Sequence, residues 1–246
     1  MKVFFHLGRY FLFIRNVFDR PEKHSVFVKL FVKDVDALGL KSVGIVAIIS
    51  VFMGAVITIQ TSLNLFNPLI PKWTVGLIAR DSILLEFSST IVCLILAGKV
   101  GSNIASEIGT MRVTEQIDAL DIMGINSINY LVLPKVTASI FSFPFLVILS
   151  MGIGVFGGWL SVVFTGAIPE DDYINGIQYM FRPFYIVYSL IKSVVFGFII
   201  STISAYWGYY TSGGALEVGV SSTRAVVVSS IQILLFNLLL TQLLLT

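Results

Sequence analysis

The stretch Gly44–Phe66, GIVAIISVFMGAVITIQTSLNLF, decides the architecture. It carries no charged side chain and is long enough for a helix to cross a hydrocarbon core ~30 Å thick, which takes ~20 residues. Hydrocarbon offers no water to backbone N–H and C=O groups, so a lone spanning segment must satisfy them internally, as an α-helix does. Asn67-Pro68 marks its end, because proline lacks the amide proton that a continuing helix needs.

Four further runs are apolar enough and long enough to cross, at residues 82–105, 131–164, 184–205 and 225–245, with only isolated charges among them. The run 131–164 is long enough to tilt or bend, with Pro134 and Pro144 as candidate kinks. Five spans are an odd number, so the two chain ends face opposite sides. Composition agrees: the chain is 56% apolar and 12% charged, where a soluble domain carries roughly a quarter charged residues. Mean hydropathy is +0.92. The expected fold is an all-α integral membrane protein, with N-terminal interfacial amphipathic helices in 1–42 and a five-span domain in 43–246.

The N-terminal segment holds the charge. MKVFFHLGRYFLFIRNVF resembles a secretory leader, but Arg9 and Arg15 break its apolar run and no small-x-small cleavage site follows, so it reads as retained. Phe4, Phe5, Tyr10, Phe11, Ile14, Val17 and Phe18 supply one apolar surface. Beyond Pro21, Val26, Phe27, Leu30, Phe31, Val35 and Leu38 form a helical stripe, with Lys29, Lys33, Asp34 and Asp36 opposite. Basic amphipathic helices with bulky aromatics lie in the headgroup plane; two helices packed on a partner are the alternative.

Orientation follows from basic residues in short loops, which favour the cytoplasmic side. With the N-terminus inside, that side holds all the Lys/Arg up to Lys41 together with Lys99, Arg112, Lys135 and Arg224. The outside holds Lys72, Arg80 and Arg182, beside the acidic Glu170-Asp171-Asp172. The N-terminus is therefore cytoplasmic and the C-terminus periplasmic. Gly152, Gly154, Gly157, Gly158 and Gly197 are expected to let helices pack closely within the bundle.

Enzymatic signatures are missing from the sequence. It contains no G-x-x-x-x-G-K-[ST] phosphate loop, no H-E-x-x-H and no G-x-S-x-G. His6 and His24 are the only histidines and Cys93 the only cysteine, so no metal site is expected, and a net charge of +2 argues against nucleic acid. Two charges lie deep in apolar runs: Glu86 in SILLEFSSTIVCLILAG and Lys192 in IVYSLIKSVVFGF. A charge inside a bilayer costs at least ~2.5–3.5 kcal/mol, so such residues face a bundle interior, pair, or line a polar route. Their opposite signs suit a mutual pair; snorkelling to the interface is the bland alternative. Gln60 is a weaker candidate of the same kind.

Between the second and third spans runs SEIGTMRVTEQIDALDIMGINSI, residues 106–128. Thr114 is placed to cap a short helix, Glu115 suits its first turn, and Gly124 suits its end. Ile117, Leu120, Ile122 and Met123 give it apolar side chains among Glu115, Asp118 and Asp121. Such a helix on the cytoplasmic face reads as a docking knob for another protein. An acidic face disfavours the alternative of lying in anionic headgroups.

This loop also carries a family resemblance. GKVGSNIASEIGTMRVTEQIDALDIMGI, residues 98–125, resembles the signature of MlaE/YrbE-type permeases, the membrane subunits of phospholipid-moving ABC transporters. LIKSVVFG around Lys192 and GGALEVGVSSTRAVVVSS at 213–230 are similar to later family stretches. The resemblance implies a homodimer bound to a cytoplasmic ABC ATPase dimer, a periplasmic MCE-domain protein above it, and phospholipid as substrate in a bacterial inner membrane. It implies no catalytic residue and no cofactor on this chain, ATP and Mg²⁺ belonging to the ATPase. Residues 107–124 become the coupling helix, with Glu107, Met111, Arg112, Glu115, Ile117, Asp118, Leu120 and Met123 at the ATPase contact. Gln60, Glu86 and Lys192 match family positions on the lipid pathway. Many relatives read Arg-Glu-Ile-Gly-Pro where this chain reads Leu85-Glu86-Phe87-Ser88-Ser89, leaving Lys192 as the partner for Glu86. An ion- or proton-coupled secondary transporter using Glu86 and Lys192 is the competing function.

Overall fold

The computed structural model describes residues 2–19, 24–65 and 70–245, and every regular element among them is helical. Asn67-Pro68 and Pro21, expected to end one helix and separate two others, lie outside the described residues.

Helix α1 is Lys2–Val17. Helix α2, His24–Asp34, passes through a π-helical turn, Val35–Gly39, and a 3₁₀ turn, Leu40–Ser42, into α3, Val43–Asn64. The second path is likewise composite: α4 Thr74–Ser82, a π-helical stretch Ile83–Ile91, α5 Val92–Leu96, a second π-helical stretch Ala97–Gly101, and α6 Ser102–Val113. Then follow α7 Gln116–Ile122, α8 Ser127–Thr165, α9 Glu170–Gln178, α10 Phe184–Tyr209 and α11 Ala215–Leu245.

Five continuous helices are long and apolar enough to cross a membrane: His24–Asn64, Thr74–Val113, Ser127–Thr165, Phe184–Tyr209 and Ala215–Leu245. Four of them contain an expected span whole and extend beyond it, because helical hydrogen bonding does not stop where hydrophobicity does; the first begins far earlier, at His24, but ends at Asn64, short of the expected Phe66. The 41 residues of the first make a rod of ~60 Å, about twice the hydrocarbon thickness. The second amphipathic stretch is therefore continuous with the first span. Its Asp34, expected on the polar side, is buried against Lys135. α8 runs unbroken through Pro134 and Pro144.

Glycine sets the spacing in the bundle. A Cβ on Gly54 of α3 would collide with the Gly154 carbonyl of α8, and one on Gly157 with the Val51 carbonyl, so the two backbones touch without intervening side chains. Gly208 of α10 meets Ala105 of α6 in the same way. Close approach of this kind replaces the hydrophobic force that lipid does not supply.

α1 packs on its own chain. Phe13 is fully buried and packs its ring against those of Tyr206 and Tyr209 of α10 and of Tyr210 just beyond it, while Tyr10 shares a 2.7 Å hydrogen bond with Thr202. The Arg9 guanidinium lies 3.6 Å from the centre of the Tyr210 ring. Phe4, Phe5, Phe11 and Phe18 stay exposed on the opposite side. The helix thus combines an inward aromatic contact with an outward apolar face.

Candidate functional site

Glu86 and Lys192 come together. Glu86 lies in the π-helical stretch Ile83–Ile91, where i→i+5 bonding widens the helix and disturbs the register of its carbonyls. Two of those carbonyls are taken by α10: Ser189 donates to Leu84, and Lys192 Nζ lies 3.4 Å from the Leu85 oxygen. This register delivers the Lys192 ammonium to Glu86 Oε1 at 2.9 Å. Lys192 is fully buried, and its ammonium also sits 4.4 Å from the centre of the Tyr188 ring.

The carboxylate has further donors. Thr90 Oγ1 at 2.9 Å and Asn237 Nδ2 at 3.1 Å reach Oε2. The hydroxyls of Tyr188 and Thr241, 2.7 Å apart, both lie within 3.5 Å of Oε1. Even so, the Glu86 side chain remains 39% exposed. The result is an ion pair closed on the lysine side and open on the carboxylate side, at the depth of apolar helices. It can hold a polar group presented from outside the chain.

Sequence reading missed Thr90, Tyr188, Asn237 and Thr241. A signal existed: Glu86/Thr90, Tyr188/Lys192 and Asn237/Thr241 are each polar pairs four apart, which places both members on one helix face. Gln60 does not join them. It is exposed on α3, outside the Glu86 hydrogen-bond network.

The opposite end of the bundle carries α7. Thr114 does not cap it; its hydroxyl bonds back to the Thr110 carbonyl in α6. The N-cap residue is Glu115, in the left-handed conformation at φ 61°, which turns the chain between α6 and α7. Gly124 at φ 76° ends the helix as expected, its N–H donating to Asp121 and that of Ile125 to Leu120. Ile117 is fully buried and Leu120 half-buried, whereas Ile122 is 87% and Met123 64% exposed. The apolar residues thus divide between holding the helix down and facing outward. Arg112 fixes it further, pairing with Asp118 at 2.7 Å. Met111 packs on the core, and Glu107 pairs with Lys135 at 2.7 Å.

The sequence that builds this arrangement, a half-open ion pair towards one end of the bundle and a short anchored helix at the other, is similar to those of known proteins. A family model described as permease MlaE matches residues 31–243. The chain belongs to the MlaE permease family. A probable ABC transporter permease protein of Rickettsia bellii is 38% identical over 237 residues, covering 96% of this chain and 91% of that protein. A protein of the same description from Synechocystis is 38% identical over 205 residues, 83% of this chain and 78% of its own length. The chloroplastic protein TRIGALACTOSYLDIACYLGLYCEROL 1 of Arabidopsis thaliana is 36% identical over 208 residues, 85% of this chain and 59% of that protein. As an MlaE-family ABC transporter permease, the chain is a multi-pass membrane subunit and not itself the catalyst, and such a permease works with an ATPase partner. Among the described residues no group of three or more His, Cys, Asp or Glu could hold a metal ion.

Proposed function

We propose that this permease moves phospholipid between a bacterial inner membrane and periplasmic MCE-domain carriers, as a homodimer driven by a cytoplasmic ABC ATPase dimer. The observation that carries the reading is the Glu86–Lys192 pair, buried on one side and open on the other at span depth. A polar point of this kind suits a headgroup passing an otherwise apolar wall. The family membership favours ATP over an ion gradient as the energy source, and the Arabidopsis relative carries a glycerolipid in its name.

The second copy packs along α11 in this reading. That helix is the least buried of the five, exposing Leu234, Leu235, Leu238 and Leu239, while its Asn237 and Thr241 turn to Glu86. Two copies joined there enclose a cavity lined by both ion pairs. The α7 end faces the cytoplasm, by the excess of basic residues there, and α7 seats the ATPase through Ile122 and Met123. ATP-driven closure of the ATPase dimer then moves α7 and α6 as one lever, because the Arg112–Asp118 bridge ties them. Gln60 lies farther along the first long helix, towards the lipid-exposed rim.

The test is reconstitution with the ATPase in vesicles containing fluorescent phospholipid. Lipid movement that requires ATP and is lost in a Glu86→Gln/Lys192→Met variant is expected. Movement driven by a proton gradient without the ATPase would instead establish the ion-coupled alternative.

A further inference from the structure

At the α7 end a cavity of about 450 Å³ opens between the first and second long helices. Both walls depart from α-helical geometry: the π turn Val35–Gly39 and 3₁₀ turn Leu40–Ser42 on one side, the π stretch Ala97–Gly101 on the other. π-Helical turns are rare and gather at functional positions. Here two of them flank one cavity.

Lys41 and Lys99 enter from opposite walls, Asn103 and Ser106 supply neutral donors, and the buried Leu38 gives an apolar floor, while the Ser102 hydroxyl is spent on the Lys99 carbonyl. Lys99 donates one ammonium proton to the Lys41 carbonyl, which leaves it two donors. Among the described residues no carboxylate lies within ion-pair reach of Lys99. Lys41 pairs with Asp36 at 3.4 Å, with both side chains more than half exposed, an interaction weak enough to exchange for another anion. Two cations and two neutral donors around one opening match a tetrahedral oxyanion.

We propose that this cavity binds the phosphate of an anionic lipid headgroup. The assignment rests on the cytoplasmic orientation of the α7 end. Helix α3 begins at Val43 and supplies a full bilayer-crossing length beyond it, which puts Lys41 and Lys99 at the headgroup level of the inner leaflet. That leaflet carries anionic lipid, and the apolar floor suits the glycerol end of such a molecule. The site is separate from the Glu86–Lys192 pair, sharing no residue with it.

The experiment is native mass spectrometry of the purified full chain, loaded with phosphatidylglycerol or phosphatidylcholine. The wild type should retain phosphatidylglycerol preferentially, and Lys41→Gln/Lys99→Gln should lose that preference by about tenfold or more. Ser106→Leu, which fills the cavity and keeps both charges, should do the same, as should Lys41→Gln alone to a smaller extent if the double variant does not fold. Unchanged preference in Ser106→Leu and Lys41→Gln overturns the proposal. Inorganic phosphate is the second probe: thermal protection by millimolar phosphate equal to that by phosphatidylglycerol, abolished by the lysine substitutions, would replace the lipid assignment with a free-phosphate site. ATPase co-purification is read in the same preparations. Loss of lipid preference with the ATPase still bound keeps the functional reading, whereas a wild-type chain that binds no ATPase but keeps its lipid preference removes that reading and leaves the site.

Discussion

Lys192 has no exposed surface, while the Glu86 carboxylate 2.9 Å away is 39% exposed. The two ends of one ion pair therefore sit in different dielectric surroundings. The lysine depends on the glutamate for its compensating charge. The glutamate has Thr90, Asn237 and Thr241 as further donors, and its open side besides.

This asymmetry predicts unequal costs. Glu86→Gln strands a buried ammonium, a change worth about 3–5 kcal/mol. Lys192→Met leaves a half-exposed carboxylate with other donors and costs less. The double variant recovers most of the loss, because no uncompensated charge remains. Thermal unfolding of the three variants in one detergent checks the order. A Lys192→Met protein less stable than Glu86→Gln would show that the lysine, not the glutamate, is the compensating partner.

The proposed docking role of α7 separates two isoleucines five positions apart. Ile117 is fully buried and Ile122 87% exposed. Ile122→Asp should reduce ATPase co-purification at least tenfold with the unfolding temperature unchanged. Ile117→Asp should lower that temperature sharply, since it buries an unpaired carboxylate. Leu120, half-buried against the core, would confound the two effects. Normal ATPase recovery with Ile122→Asp and Met123→Asp combined would remove the docking assignment.

The span count was legible because uncharged runs such as 44–66 admit few readings, and the Glu86–Lys192 pair because isolated charges in such runs need partners. The helix ends were not legible: polar residues such as Asp34 and Glu107 continue the helices by pairing with Lys135, a contact between distant parts of the chain. The α6–α7 turn was misplaced by one residue. Thr114 has a better capping propensity than Glu115, but the turn needs a left-handed residue, and the anchoring of Ile117 and Asp118 fixes which residue that is. The π-helical stretches leave no periodicity that a 3.6-residue reading detects.

Lys135 predicts a second graded series. Its side chain is 5% exposed and lies 3.1 Å from Asp34, itself 9% exposed, and 2.7 Å from Glu107, which is 40% exposed. Three separate helices, α2, α6 and α8, meet at this one ammonium. Lys135→Met leaves Asp34 buried without its cation and should cost about 3–5 kcal/mol. Glu107→Gln, at the solvated side, should cost about 1 kcal/mol or less. Asp34→Asn combined with Lys135→Met should restore part of the loss. Protease resistance at the α2–α3 junction gives an independent readout, since that junction is what Asp34 holds.

The glycines of α8 supply the sharpest contrast, because they share one helix and one chemistry. A Cβ on Gly157 would strike the Val51 carbonyl in α3, whereas one on Gly152 meets nothing within 4 Å. Backbone atoms cannot rotate aside as a flexible side chain does, so Gly157→Ala must push α3 away from α8. An overpacking cost of about 1–3 kcal/mol follows. Gly152→Ala carries no such penalty and gains up to about 1 kcal/mol in helix propensity. Unfolding temperatures should therefore move in opposite directions for two identical substitutions five residues apart. Equal shifts would mean that α3 and α8 do not pack backbone to backbone, and that the small residues of α8 serve some other contact.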